Sequence, residues 1–172
     1  MRRLLQSLGA EVIHLGHDRG VEELVEAALE EDADAIALSS YQGGHMEYFE
    51  FLVQRLAEVG LPHVRVYGGG GGTITPSEIE ALHRIGVARI FSPEDGRVLG
   101  LEGMIATIVD ECLEARVAQG RPQDVVQVHR QQVQEARRAR GRPRQHGVQG
   151  VRGRPAFPNN RWIGISYLNL VI

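Results

Sequence analysis

Short apolar runs alternate along the first two thirds of the chain with stretches in which apolar residues recur every three or four positions. Glu11-Val12-Ile13-His14-Leu15, Ala35-Ile36-Ala37-Leu38-Ser39, His63 to Tyr67 and Val87 to Phe91 read as strands. Ala35 to Ser39 is apolar on both faces, as a strand covered by helices on each side should be. Between the runs, Val21, Leu24, Val25, Ala28 and Leu29 recur at helical spacing, with Glu22, Glu23, Glu26, Glu30 and Glu31 on the watered face. Phe49, Leu52, Val53 and Leu56 mark a second helix, closed by Gly60 and Pro62, and Ile79 and Leu82 a third that ends near Gly86. Leu101, Met104, Ile105, Ile108, Val109 and Cys112 form the apolar stripe of a last helix, and Met1 to Leu8 reads as an uncapped helix at the start. Strands alternating with helices predict an α/β fold, a doubly wound parallel sheet.

Ligands of such sheets sit beyond the carboxyl ends of the strands. Those ends are Gly16 to Gly20, Ser39 to His45, Gly68 to Thr75 and the expected turn Ser92 to Gly96. The third is the most distinctive. Gly68, Gly69, Gly70, Gly71 and Gly72 follow a β-branched run, and a backbone without Cβ can lie against a ligand. Thr75, Pro76 and Glu78 then fit the N-cap, first and third positions of a capping box. A strand, a glycine loop and a helix N-terminus make a cradle for a polar ligand group. The run is not a P-loop, since no Gly-Lys-Ser/Thr follows, and it does not match a dinucleotide fingerprint.

Charge divides the 172-residue chain. Residues 1–114 carry 8 arginines against 20 Asp plus Glu, a balance of −12; residues 115–172 carry 11 arginines against Asp124 and Glu135, a balance of +9. The boundary between an ordered domain and a low-complexity basic tail therefore falls at 114/115. The tail reads as mostly disordered, with a polar helix from Asp124 to Arg140, and it ends on an apolar, strand-like segment, Trp162 to Ile172. An alternative function follows from its charge: a nucleic-acid-binding arm on an α/β scaffold, though Phe157, Trp162 and Tyr167 offer little base stacking. One cysteine excludes an internal disulfide, no apolar run spans a membrane, and the N-terminus is no signal peptide, which together fit the cytoplasm. His14, His17, His45, His63 and His83 match no metal-ligand spacing, and no nucleophile or carboxylate pair stands out.

Ser39-Ser40-Tyr41-Gln42-Gly43-Gly44-His45, the glycine loop, and Ala88-Arg89-Ile90-Phe91-Ser92-Pro93-Glu94-Asp95-Gly96 together resemble the cobalamin-binding domain of the acyl-CoA mutases, the methylmalonyl-CoA mutase family. The Ser-Ser-Tyr sequence and the five glycines look most like the fused isobutyryl-CoA mutase branch. The resemblance covers residues 1 to 112. It implies binding of adenosylcobalamin with its benzimidazole base detached from cobalt and buried at the sheet edge. Ser39 would hydrogen-bond that base, Tyr41 would line its slot, Gly43 and Gly44 of the same loop would be cofactor-binding residues, Gly68, Gly69 and Gly70 would admit the nucleotide tail, and Phe91, Ser92 and Pro93 would close over the base. It implies radical isomerisation of an acyl-CoA, with a substrate-binding barrel and possibly a G-protein chaperone domain as partners. The family's cobalt ligand is a histidine in Asp-x-His-x-x-Gly after the first strand. Leu15-Gly16-His17-Asp18-Arg19-Gly20 imitates it with leucine for aspartate and follows the wrong strand, so His17 is not expected to ligate cobalt. The chain is expected to start inside the first helix and to lack the family's first strand. Ile163 to Ile172 could fill that place in the sheet, but an unrelated tail is the favoured expectation.

Overall fold

A computed structural model describes residues 2–40, 43–69, 72–120 and 168–171. Within them α1 (Arg2–Ser7), β1 (Ile13–Gly16), α2 (Val21–Glu30), β2 (Ala35–Ser39), α3 (His45–Glu58), β3 (Arg65–Gly69), α4 (Pro76–Arg84), β4 (Arg89–Phe91), α5 (Pro93–Ala118) and β5 (Leu168–Val171) follow one another. The strands form one sheet in the order β1-β5-β2-β3-β4. β2, β3 and β4 run parallel, as the alternating pattern predicts.

β5 is antiparallel to both its neighbours, pairing Leu170 with His14 on one side and with Ala37 on the other. The unrelated tail is thus corrected. The apolar end of the chain supplies the strand between β1 and β2, whose facing backbone groups would otherwise lack ladder partners. The polar helix expected over Asp124 to Arg140 and the disorder expected of the tail lie outside the described residues.

The helices cover the sheet on both faces. Val21, Leu24, Val25 and Ala28 of α2, Phe49, Leu52 and Leu56 of α3 and Leu82 of α4 pack on Ile36, Leu38, Val66 and Ile90. On the other face, Leu5 of α1 and Ile105, Ile108, Val109 and Cys112 of α5 pack on Ala35, Ala37 and Tyr67. Fully burying each large aliphatic side chain contributes about 1.5–3 kcal/mol.

The helix starts follow local chemistry. Thr75 Oγ1 accepts from the Glu78 N–H at 3.4 Å while the Glu78 carboxylate accepts from the Thr75 N–H at 2.7 Å, as the sequence predicts. Ser92 does the same with Asp95, its N–H donating at 2.8 Å and its Oγ accepting the Asp95 N–H at 3.2 Å. The turn expected over Ser92 to Gly96 is therefore the first turn of α5, with Pro93 at its first position, where a missing N–H costs nothing. The same helix runs on to Ala118, past the boundary expected at 114, and breaks once, at Gly100, whose φ of 64° and ψ of 172° no helix permits.

Gly68 is glycine for packing. A Cβ there would stand 2.5 Å from both Phe49 Cζ and Ile90 Cδ1, inside the α3 core. Gly68→Ala should lower unfolding free energy by about 1–3 kcal/mol, the range for overpacking, in urea denaturation. Removing the chain from Leu168 onward should lower the unfolding free energy by on the order of 0.5–1.5 kcal/mol for each ladder hydrogen bond lost, read as a lower urea midpoint; an unchanged unfolding curve would show that β5 carries no stability.

Candidate functional site

Side chains alternate across a strand, so the residues of β2, β3 and β4 that face α5 can be read from the register. Ser39 lies beside Gly69 and Gly69 beside Phe91; one row deeper, Ala37 lies beside Tyr67 and Tyr67 beside Arg89. The first row sits at the carboxyl edge of the sheet. It forms the floor of a cavity of about 300 Å³, roofed by Leu101, Met104, Ile105 and Ile108 of α5. Ser92, Pro93 and Gly96 line it from the first turn of that helix. This is the low end of small-molecule pocket volumes, roughly 300–1,000 Å³, and its shape is a slot between a sheet and a helix.

The two adjacent glycines of β3 serve different ends. Gly68 is required by the core behind the sheet. At Gly69, on the slot side, a Cβ would meet only the Phe91 carbonyl oxygen at 3.6 Å and the Phe91 Cβ at 4.0 Å, so packing does not forbid a side chain there. A side chain at Gly69 would instead stand on the slot floor.

Hydroxyls line the slot at Ser39, Tyr67 and Ser92. The Ser92 hydroxyl donates to Asp95 Oδ2 at 2.6 Å as part of the helix cap. The Tyr67 hydroxyl accepts from Arg65 Nε at 2.8 Å and donates to Glu111 Oε2 at 3.0 Å. Ser39 Oγ makes no hydrogen bond to another described residue. Among the described side chains that line it, the slot offers apolar walls and one hydroxyl, that of Ser39, without a protein hydrogen bond.

The deep end is held by charge. Glu111 Oε1 accepts from Arg89 Nε at 3.0 Å and Nη2 at 2.6 Å, and its Oε2 accepts from Arg65 Nη2 at 3.1 Å. Burial raises the Glu111 pKa, but hydrogen bonds from Arg89 and Tyr67 and the charges of both arginines outweigh it and hold the carboxyl below its ordinary value. Burial also pushes the Tyr67 phenol far up, so it stays protonated and able to donate. Cys112, on the next residue of α5, is pushed up to about 11 chiefly by burial and belongs to the core, as its place on the apolar stripe implies.

Six of the site residues expected from sequence meet in the slot: Ser39, Gly68, Gly69, Phe91, Ser92 and Pro93. Gly43 and Gly44 do not line it; Gly44, with φ 85°, turns the chain into α3. Tyr41 and Gly70 lie outside the described residues. Sequence reasoning missed Tyr67 as a wall and took Leu101, Met104, Ile105 and Ile108 for plain core. The signal available was Gly100, which breaks α5 just where its stripe passes the strand ends.

The histidines hold other posts. His17 is exposed and its Nδ1 lies 2.8 Å from Asp18 Oδ2. His83 Nε2 accepts from the Ile90 N–H at 3.1 Å. His45 is buried, with Nε2 3.3 Å from Glu78 Oε1. None of the described slot-lining residues is a histidine.

An α/β domain with an apolar slot past the carboxyl ends of parallel strands, here β2, β3 and β4, defines a small-molecule-binding class. The B12 binding domain family model matches residues 1–101, and the chain belongs to that family. It is 63% identical over 112 residues to fused isobutyryl-CoA mutase of Geobacillus kaustophilus, 65% of this chain and 10% of that protein. Against the Nocardia farcinica protein of the same name the identity is 64% over 112 residues, again 65% of this chain and 10% of that protein. Human mitochondrial methylmalonyl-CoA mutase is 28% identical over 94 residues, 55% of this chain and 12% of that protein. The chain thus spans about a tenth of the length of these relatives. No helix among the described residues is long and apolar enough to cross a membrane.

Glu111 sets a pH test. Its folded-state pKa is depressed, so its stabilisation is complete above the unfolded value of 4.5 and fades as pH falls below that through the folded value. Glu111→Gln should be less stable than wild type at neutral pH, and the gap should narrow as pH falls below 4.5, followed by thermal melts across that range.

Proposed function

We propose that this chain binds adenosylcobalamin by its nucleotide tail and serves as the cobalamin domain of an acyl-CoA mutase, an isomerase. The observation that carries the reading is the slot, with Ser39 as its uncommitted hydroxyl, in a chain of the B12-binding family. Ser39 would hydrogen-bond the detached benzimidazole. Gly69 and Phe91 would lie under the ring, and Leu101, Met104 and Ile105 above it. Ser92 and Pro93 would border the mouth, held by the Ser92–Asp95 cap. Tyr41 would line the same slot and Gly70 would help Gly68 and Gly69 admit the nucleotide tail, as the resemblance implies, and Gly43 and Gly44 would meet the cofactor beside it. When bound, the cofactor supplies a cobalt–carbon bond whose homolysis starts a radical carbon-skeleton rearrangement. The chain's own residues bind and orient the tail and keep water from the base.

The acyl-CoA site would come from a substrate-binding barrel domain or subunit, with a G-protein chaperone domain as a further partner. This follows from the resemblance and from relatives about ten times as long as the matched stretch. A free, buried Cys112 is consistent with the cytoplasm. The nucleic-acid alternative rests on the basic tail, outside the described residues, and no described feature favours it.

A visible-spectrum titration of the purified chain with adenosylcobalamin should show a saturable change as the benzimidazole is displaced. Ser39→Ala should weaken binding by about tenfold, the worth of one net hydrogen bond. A folded chain that produces no saturable change would overturn the reading.

A further inference from the structure

The cofactor reading leaves one group of residues without a task. Glu111 binds two arginines and a tyrosine at the inner end of the slot, and nothing in cobalamin binding as described above requires it. Its position does. Ile108 lines the slot, and Glu111 lies three residues later, one turn deeper on the same side of α5. Its partners come from the two strands beneath, Arg65 and Tyr67 from β3 and Arg89 from β4. The carboxylate therefore ties the helix that roofs the slot to the strands that floor it.

Tyr67 shows how that tie reaches the ligand. It is 1% exposed, its ring lines the slot, and its hydroxyl is held between Arg65 and Glu111. The ring cannot swing away without giving up both hydrogen bonds in a buried place, where lost partners cost most. Arg65 adds a further restraint, with its guanidinium carbon 5.8 Å from the Tyr67 ring centre. Tyr67 thus closes the inner end in a fixed pose, beyond the Ser39–Gly69–Phe91 row.

We propose that Glu111, acting through Tyr67, Arg65 and Arg89, is a positioning residue that sets the depth and gap of the slot and so restricts the cofactor's base to a two-ring heterocycle. This rests on the cobalamin reading and deepens it. A longer, three-ring base anchored at Ser39 would have to displace Tyr67 and break its pair of hydrogen bonds. A two-ring base stops short of it.

The test compares two probes by isothermal titration: cobalamin, and the analogue whose lower base is the three-ring naphthimidazole. Wild type should prefer cobalamin by about tenfold or more. Glu111→Gln keeps the shape and removes the charge, and Tyr67→Phe keeps the ring and removes only the hydroxyl. Both should bring the preference to within about twofold, and Glu111→Asp should restore part of it. Should Glu111→Gln fail to fold, Tyr67→Phe decides alone. Variants with lowered melting temperatures but the wild-type preference would show that the cluster only stabilises the fold, overturning the proposal. Equal binding of both probes by wild type would overturn it while leaving the cobalamin reading intact. Binding of neither would remove that reading, and the proposal with it.

Discussion

The pleat of the sheet is the constraint on which the site depends. In β2, β3 and β4 every second residue faces α3 and α4, and every other faces α5, and the parallel register puts like with like across the strands. Even-numbered Ile36, Leu38, Val66, Gly68 and Ile90 go to one core; odd-numbered Ala37, Ser39, Tyr67, Gly69, Arg89 and Phe91 go to the other side. A slip of one residue in β3 would send Gly68 to the slot and Gly69 against Phe49. It would also turn Tyr67 away from Glu111. Two neighbouring glycines that look interchangeable in the sequence are therefore not: one removes a clash with Phe49 and Ile90, the other keeps a floor flat.

The helix opposite the floor is fixed at both ends by polar chemistry and is apolar between. At its start, Ser92 and Asp95 satisfy each other's backbone groups, and hydrogen bonds from the Ser92 hydroxyl and backbone hold the Asp95 carboxyl below its ordinary pKa. Further along, Glu111 takes up both arginines. Arg116, near the other end, pairs with Asp34 just before β2. Between them Met104, Ile105 and Ile108 present only hydrocarbon to the slot. Polar groups are thus spent on holding the walls in place, and among the described slot side chains the Ser39 hydroxyl alone has no protein partner.

Much of this was legible. The alternation of apolar runs with helical stripes gave β2, α2, α3 and the Thr75–Glu78 cap with little ambiguity, because each carries its own period or capping chemistry. Resemblance of three loops named Ser39, Gly68, Gly69, Phe91, Ser92 and Pro93, which the fold brings to one slot. What escaped depends on distant pairing. Tyr67 and Glu111 are 44 residues apart and meet only once α5 crosses the sheet. Ser92-Pro93-Glu94-Asp95-Gly96 has the composition of a turn, and its role as a helix start shows only in the reciprocal bonds. Glycine marks both ligand loops and sharp turns, so composition alone does not show that Gly44 turns the chain into α3 beside the slot and not in its lining.

β5 gives the domain an unusual order of assembly. Its ladders join Leu168–Val171 to Ile13–Gly16 and to Ala35–Ser39, contacts far apart in sequence, whereas β2, β3 and β4 pair with strands that follow closely. Closing so long a loop costs conformational entropy before any hydrogen bond is gained, so such contacts form slowly. On a ribosome, β2 to β4 and the slot can come together while β1 still waits for its neighbour. The binding end of the domain would then mature first, and the β1 edge would stay open to other strands until residues 168–171 have been made.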